Sequence, residues 1–175
     1  AFSCSHRKQA SLYNITKFIE SYGGPLLNKE IQSIDLIKQN KKKPVTCIIG
    51  GSKVSTKINI LSSLLKNANN LIIIGAMANN FLKFKGYNVG TSLIEKNAEN
   101  IVKKIYSLAE ENKCKIIIPV DCCVSSNING NSTYKSLNDI DSKDMILDIG
   151  KKTIELINDA IDGSNTIFWN GPAGY

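Results

Sequence analysis

The sequence has 175 residues, with 22 Lys and Arg against 15 Asp and Glu, a formal net charge of +7, and 42% hydrophobic residues. That is material for one core of ordinary size, and no apolar run approaches the roughly 18 residues of a membrane span. The charge is compatible with nucleic acid, acidic lipid or phosphorylated small molecules, but it is almost all lysine, Arg7 being the only arginine and His6 the only histidine, and the aromatics interleaved with basic residues that a nucleic-acid surface needs are lacking.

The chain opens on the His6-Arg7 pair and reaches a break at Gly23-Gly24. Pro25 then stands at a helix start, and Leu26, Leu27, Glu30, Ile31, Ile34 and Ile37 form a helical stripe that ends in the run Lys41-Lys42-Lys43 before Pro44. Residues 24–43 are therefore expected to be a connecting helix, with residues 1–23 the end of a domain on its far side and 44–175 a second domain. A first strand, "VTCII" at 45, turns at Gly50-Gly51 into a helix expected to begin near Ser52, with Val54, Ile58, Leu61 and Leu65 as its buried stripe. Lys53 and Lys57 would then share a face in its first turns, where like charges repel and the macrodipole disfavours cations.

Farther along, "LIII" at 71, "KIIIP" at 115, "MILDI" at 145 and "TIFW" at 166 read as strands, each unbroken apolar as in sheets covered on both faces. Helices are expected over 77–85, over 96–112 and around Ile154, Ile157 and Ile161, with the polar stretch 125–139 a surface loop or an edge excursion. The β-α-β-α order implies an α/β fold: a mostly parallel sheet with helices on both faces, in three layers of the Rossmann-like kind. Cys4, Cys47, Cys114, Cys122 and Cys123 contain no C-x-x-C pair and read as buried reduced thiols of a cytoplasmic protein.

Ligands of such sheets sit beyond the carboxyl ends of the strands. The turns expected there are "GGSK", "GAMA", "PVD", "DIGK" and "NGPAG". Glycine-rich turns let backbone amides approach an anion closely, and a phosphate between Lys53 and Lys57 would remove their repulsion. The pattern matches neither the P-loop G-x-x-x-x-G-K-[ST] nor the G-x-G-x-x-G fingerprint. Asp121 and Asp148 read as structural acids at strand ends, and Trp169 as core.

Taken in order, "GGSKVSTK", "GAMANNFLKFKGYNVGTSLIEKN", "PVD", "LDIGKKTIEL" and "TIFWNGPAG" resemble the nucleotide-binding half of phosphoglycerate kinase, most like its proteobacterial branch, and "AFSCSHRKQAS" resembles the end of the substrate-binding half. The resemblance implies part of a bilobal cytoplasmic glycolytic kinase, monomeric when complete, that transfers a phosphoryl group between 1,3-bisphosphoglycerate and ADP to give 3-phosphoglycerate and ATP. It implies no nucleic-acid or membrane partner. Mg2+ would be carried with the nucleotide, its protein ligand outside this chain. By the same resemblance Lys53 stabilises the transferring charge, and Lys57 holds nucleotide phosphates with the amides of Gly51 and Ser52. Gly75, Gly150, Asn170, Gly171 and Pro172 line the nucleotide, and His6 and Arg7 face 3-phosphoglycerate. The family's three consecutive glycines in the second turn are here Ile74, Gly75 and Ala76, and the chain stops before further family motifs, so it is expected not to turn over alone. The competing reading is a non-catalytic nucleotide- or phosphate-binding module of the same fold.

Overall fold

The computed structural model describes residues 2–40 and 42–174, with the side chains of residues 3–35 and 42–174. The chain divides into two compact units, Ala1–Lys41 and Lys42–Tyr175. In the first, short 3-10 and π turns over 2–17 precede helix α1 (Pro25–Asn40). Pro25 heads α1 where its missing N–H leaves no bond unmade, and Asn28 fastens the preceding loop by donating from its backbone N to the Gly24 carbonyl (3.0 Å) and from its Nδ2 to that of Gly23 (3.1 Å). Along the stripe Leu27 and Ile34 are half-buried while Leu26 and Ile31 are exposed. The side chain of Ile37, and Lys41 of the basic run, lie outside the described residues.

The second unit contains β1 (Val45–Ile49), α2 (Ile58–Leu65), β2 (Asn70–Ile73), α3 (Ala78–Phe84), α4 (Glu99–Glu111), β3 (Lys115–Ile117), β4 (Asp121–Ser125), β5 (Thr133–Ser136), β6 (Met145–Ile149), α5 (Lys151–Asp162) and β7 (Thr166–Asn170). Four strands form a parallel sheet in the order β3-β2-β1-β7. Because side chains alternate across a strand, Val45, Cys47, Ile49, Leu71 and Ile73 pack on one face against Leu61 and Leu65 of α2, Phe81 of α3, and Val102 and Ile105 of α4. Ile48 and Ile72 pack on the other face with Ile157 of α5. All five residues of β1 are buried, the reason its sequence does not alternate, and its one polar side chain, Thr46, is hydrogen-bonded.

Side chains close the amino end of this sheet. Asn69 Oδ1 accepts from the Val45 amide (2.9 Å), Asn70 Nδ2 donates to Thr46 Oγ1 (2.9 Å), and Thr46 Oγ1 lies 2.6 Å from Ser164 Oγ.

Several expectations are corrected. "MILDI" is a strand, β6, but it runs antiparallel to β4 in a separate sheet of order β5-β4-β6. β4, "DCCVS", carries polar residues at both ends and so escaped the apolar pattern, yet Cys122 and Val124 reach a small core with Leu82, Val89, Leu137 and Ile140. β5, inside the polar stretch, is an edge strand. The lysine-bearing helix also begins later than its stripe suggested: a 3-10 turn, Ser55–Lys57, precedes α2, so Lys53 lies before any helix and Lys57 caps α2. The two lysines do not share a helical face. Finally, Trp169 is 58% exposed rather than core, its indole N–H donating to the Gly171 carbonyl at 2.8 Å.

Candidate functional site

Backbone contacts between glycine turns, together with one lysine side chain, close the carboxyl end of the parallel sheet. The Gly50 amide donates to the Asn170 carbonyl (2.8 Å), and the Met77 amide to the Gly51 carbonyl (2.7 Å). The turns after β1, β2 and β7 meet so closely that a Cβ on Gly50 would stand 1.9 Å from the Pro172 carbonyl oxygen. At Gly75, whose φ is +68°, a Cβ would lie 2.8 Å from that same oxygen and 2.9 Å from the Gly51 nitrogen. Only glycine meets both the conformation and the approach.

Lys57 sits at this junction. Its ammonium donates to the Gly50 carbonyl (2.6 Å) and to Asn170 Oδ1 (2.9 Å), bridging the ends of β1 and β7. An ammonium has three N–H donors, so one is left for a ligand. Burial holds Lys57 below the ordinary lysine value, and among the described residues no carboxylate forms an ion pair with it. An arriving anion would reverse that shift. Lys53 is exposed, and among the described residues none accepts a hydrogen bond from its ammonium.

A cleft of about 260 Å³ opens beside the junction. Gly51, Ser52, Gly75 and Pro172 form one side, and apolar groups from Leu82, Leu93, Ile146 and Ile149 form much of the rest. Such a lining offers an apolar slot next to an anion-seeking corner, the two halves of a nucleotide's chemistry. Asn170 and Gly171 adjoin it through Lys57. Gly150 does not line the cleft; it precedes α5, where its amide donates to the Asp121 carbonyl (2.9 Å) and an added Cβ would collide with the Asp121 carboxyl at 2.2 Å.

Asp121 is structural. Its carboxylate accepts from the amides of Lys152 (3.0 Å) and Thr153 (2.8 Å) and from the Thr153 hydroxyl (2.7 Å), holding the first turn of α5. Burial pushes its pKa up, but the bonds from Thr153 and Lys152 outweigh this and hold it below the usual carboxylate range. Asp148 is exposed, accepts from the Ile149 amide (2.7 Å), and lines the cleft. Cys122 also borders it, but burial, with the charges of Asp121, Cys123 and Asp148, pushes its thiol up to about 12, so it is not a nucleophile at neutral pH. His6 and Arg7 lie exposed in the first unit, the Arg7 amide donating to the Cys4 carbonyl (3.0 Å).

Sequence reasoning missed the walls. Leu82 and Leu93 lie inside "GAMANNFLKFKGYNVGTSLIEKN" and Ile146 inside "MILDI", but as ordinary apolar residues they carry no signal that sets them apart as ligand-facing.

The family model for phosphoglycerate kinase matches residues 1–175. Among curated relatives, the phosphoglycerate kinase of Wolbachia pipientis wMel is 41% identical over 175 residues and that of Orientia tsutsugamushi strain Ikeda 44% over 177, each match covering 99% of this chain and 44% of the relative. Among solved structures, phosphoglycerate kinase from Coxiella burnetii superposes with a TM-score of 0.86 at 34% identity, covering 99% of this chain and 46% of that one. The Pyrococcus horikoshii OT3 enzyme gives 0.79 at 28%, covering 99% and 45%. The chain thus spans less than half the length of the relatives it matches.

Proposed function

The chain belongs to the phosphoglycerate kinase family, and on that premise we propose that it supplies the greater part of a nucleotide site for phosphoryl transfer from 1,3-bisphosphoglycerate to ADP, giving 3-phosphoglycerate and ATP in glycolysis. In this reading residues 1–23 close a substrate-binding lobe, 24–43 join the lobes, and 44–175 bind nucleotide, within a complete protein that is cytoplasmic and monomeric. Among the described residues no helix is long and apolar enough to cross a membrane.

The observation that carries the proposal is the junction of three glycine turns around the Lys57 ammonium, one N–H still unspent, beside an apolar slot. The base and ribose would take the slot, and the phosphates would lie over the amides of Gly51 and Ser52 near Lys57. A β-phosphate oxygen of ADP then attacks the acyl phosphorus; the new P–O bond forms as the acyl P–O bond breaks, and the electron pair leaves on the 3-phosphoglycerate carboxylate. No proton need move, so no general base is required of Asp121 or Asp148. Lys53 is assigned to the charge spread over the moving phosphoryl oxygens. Arg7 and His6 are assigned to 3-phosphoglycerate, Arg7 as a bidentate clamp. Magnesium bound to the nucleotide would neutralise part of its phosphate charge; the amides and ammonium fit as anion holders, and Asp148 is the one carboxylate among the residues described as lining the cleft.

The test is kinetic. In the complete protein that carries these residues, Lys53→Met and Lys57→Met should each lower kcat by a factor on the order of 10². Unchanged rates in both would remove the site, and MgADP binding without any transfer in the unaltered protein would favour the non-catalytic module.

A further inference from the structure

The loop between α3 and α4 is fixed at one end by two buried carboxamides. Asn79, 1% exposed, donates from Nδ2 to the Leu93 carbonyl (3.0 Å), and Asn80, 6% exposed, accepts at Oδ1 from the Glu95 amide (2.9 Å). Buried amides are costly unless bonded, and these two bond to the backbone of the loop, which sets where Glu95 stands. Its carboxylate in turn accepts from the Ser55 amide (3.1 Å) and from the Ser55 hydroxyl. Those bonds, with the Val54 amide and the charge of Lys53, hold the Glu95 carboxyl below the usual range against the opposing effect of burial.

Ser55 is two residues from Lys53, and between them Val54 is fully buried. The backbone that follows Lys53 is therefore held at Val54 by an apolar anchor and at Ser55 by a carboxylate fixed from α3. Glu95 spends its hydrogen bonds on Ser55 and makes no ion pair with Lys53 among the described residues, so the ammonium stays available. We propose that Glu95 is a positioning residue for Lys53: gripping Ser55, it fixes the turn from which the Lys53 ammonium is presented to the transferring phosphoryl group. The inference rests on the role given to Lys53 above.

A plain structural tie would stabilise the turn without regard to Lys53, and a double-mutant cycle separates the two. In the complete protein, Glu95→Gln should lower kcat by about tenfold through misplacement of the ammonium, with the nucleotide KM changed less than about twofold. In a Lys53→Met background the same substitution should lower kcat no further. A Glu95→Gln kcat within about twofold of the parent, or losses that multiply in the double variant, would overturn the inference while leaving the role of Lys53 intact. A Lys53→Met variant at full rate would sink that role, and the positioning of it with it. If Glu95→Gln does not fold, Ser55→Ala, which deletes only the hydroxyl donor, should lower kcat and show the same dependence on Lys53, and independence would overturn the inference equally.

Discussion

Two lysines four residues apart behave differently because one is hydrogen-bonded into the fold and the other is not. Lys57 joins the ends of β1 and β7 through Gly50 and Asn170, so Lys57→Met should lower stability without ligand by about 1–3 kcal/mol, read from urea denaturation. Lys53 has no such bonds, and Lys53→Met should leave the same curve within about 0.5 kcal/mol. The repulsion expected between the two lysines is therefore not what sets the stability of Lys57, whose bonds to Gly50 and Asn170 hold it in place. Asp121 gives a pH signature. Its folded pKa is depressed, so the unfolded state binds the proton more readily, stability rises with pH in that window, and the contribution is full above the unfolded value of about 3.9 and lost as pH falls through the folded one. Asp121→Asn should therefore destabilise the protein at neutral pH by about 1–2 kcal/mol, the usual worth of a helix cap, and flatten the acid limb of a stability–pH curve, measured by thermal melts from pH 2 to 7.

Among the elements, those with a fully buried apolar face were legible and those with divided surroundings were not. β1, β2 and α4 fell where their periodicity placed them because burial decides those residues; α5 formed around Ile157 and Ile161 although Ile154, the third residue of its expected stripe, is 44% exposed. β4 was hidden, since Asp121 faces α5 and Ser125 the far end while only Cys122 and Val124 feed the small core. β6 was legible as a strand but not as a member of the second sheet, because an apolar run does not say which strand it will pair with. The glycine turns after β1, β2 and β7 were legible as a rim, whereas the walls of the cleft, being ordinary leucines and isoleucines, were not. The turns give a sharp contrast: Gly50→Ala drives a Cβ to 1.9 Å from a backbone oxygen, while Gly24→Ala meets nothing within 4 Å. Gly50→Ala should cost on the order of 3 kcal/mol or more and abolish MgADP binding by calorimetry. Gly24→Ala should change neither by more than a few tenths of a kcal/mol.

For the molecule as a whole, β7 is an edge strand among the described residues, with Ile167 45% and Trp169 58% exposed. An apolar strand edge templates association. The polypeptide of these 175 residues, prepared by itself, should scatter light as an associated species well above 19.2 kDa, bind MgADP weakly and transfer no phosphoryl group, and Ile167→Lys should reduce the association. A monomer that makes ATP would contradict the reading that further segments take part. The two ends of the parallel sheet also stand differently toward mutation. At the amino end Asn69, Asn70, Thr46 and Ser164 can each be exchanged for a neighbour in size at the loss of a bond. At the other end the crowded positions are glycines, and every substitution adds atoms where none fit. A lineage released from selection would thus lose its binding corner and the stability of that end of the sheet together, one methyl group at a time.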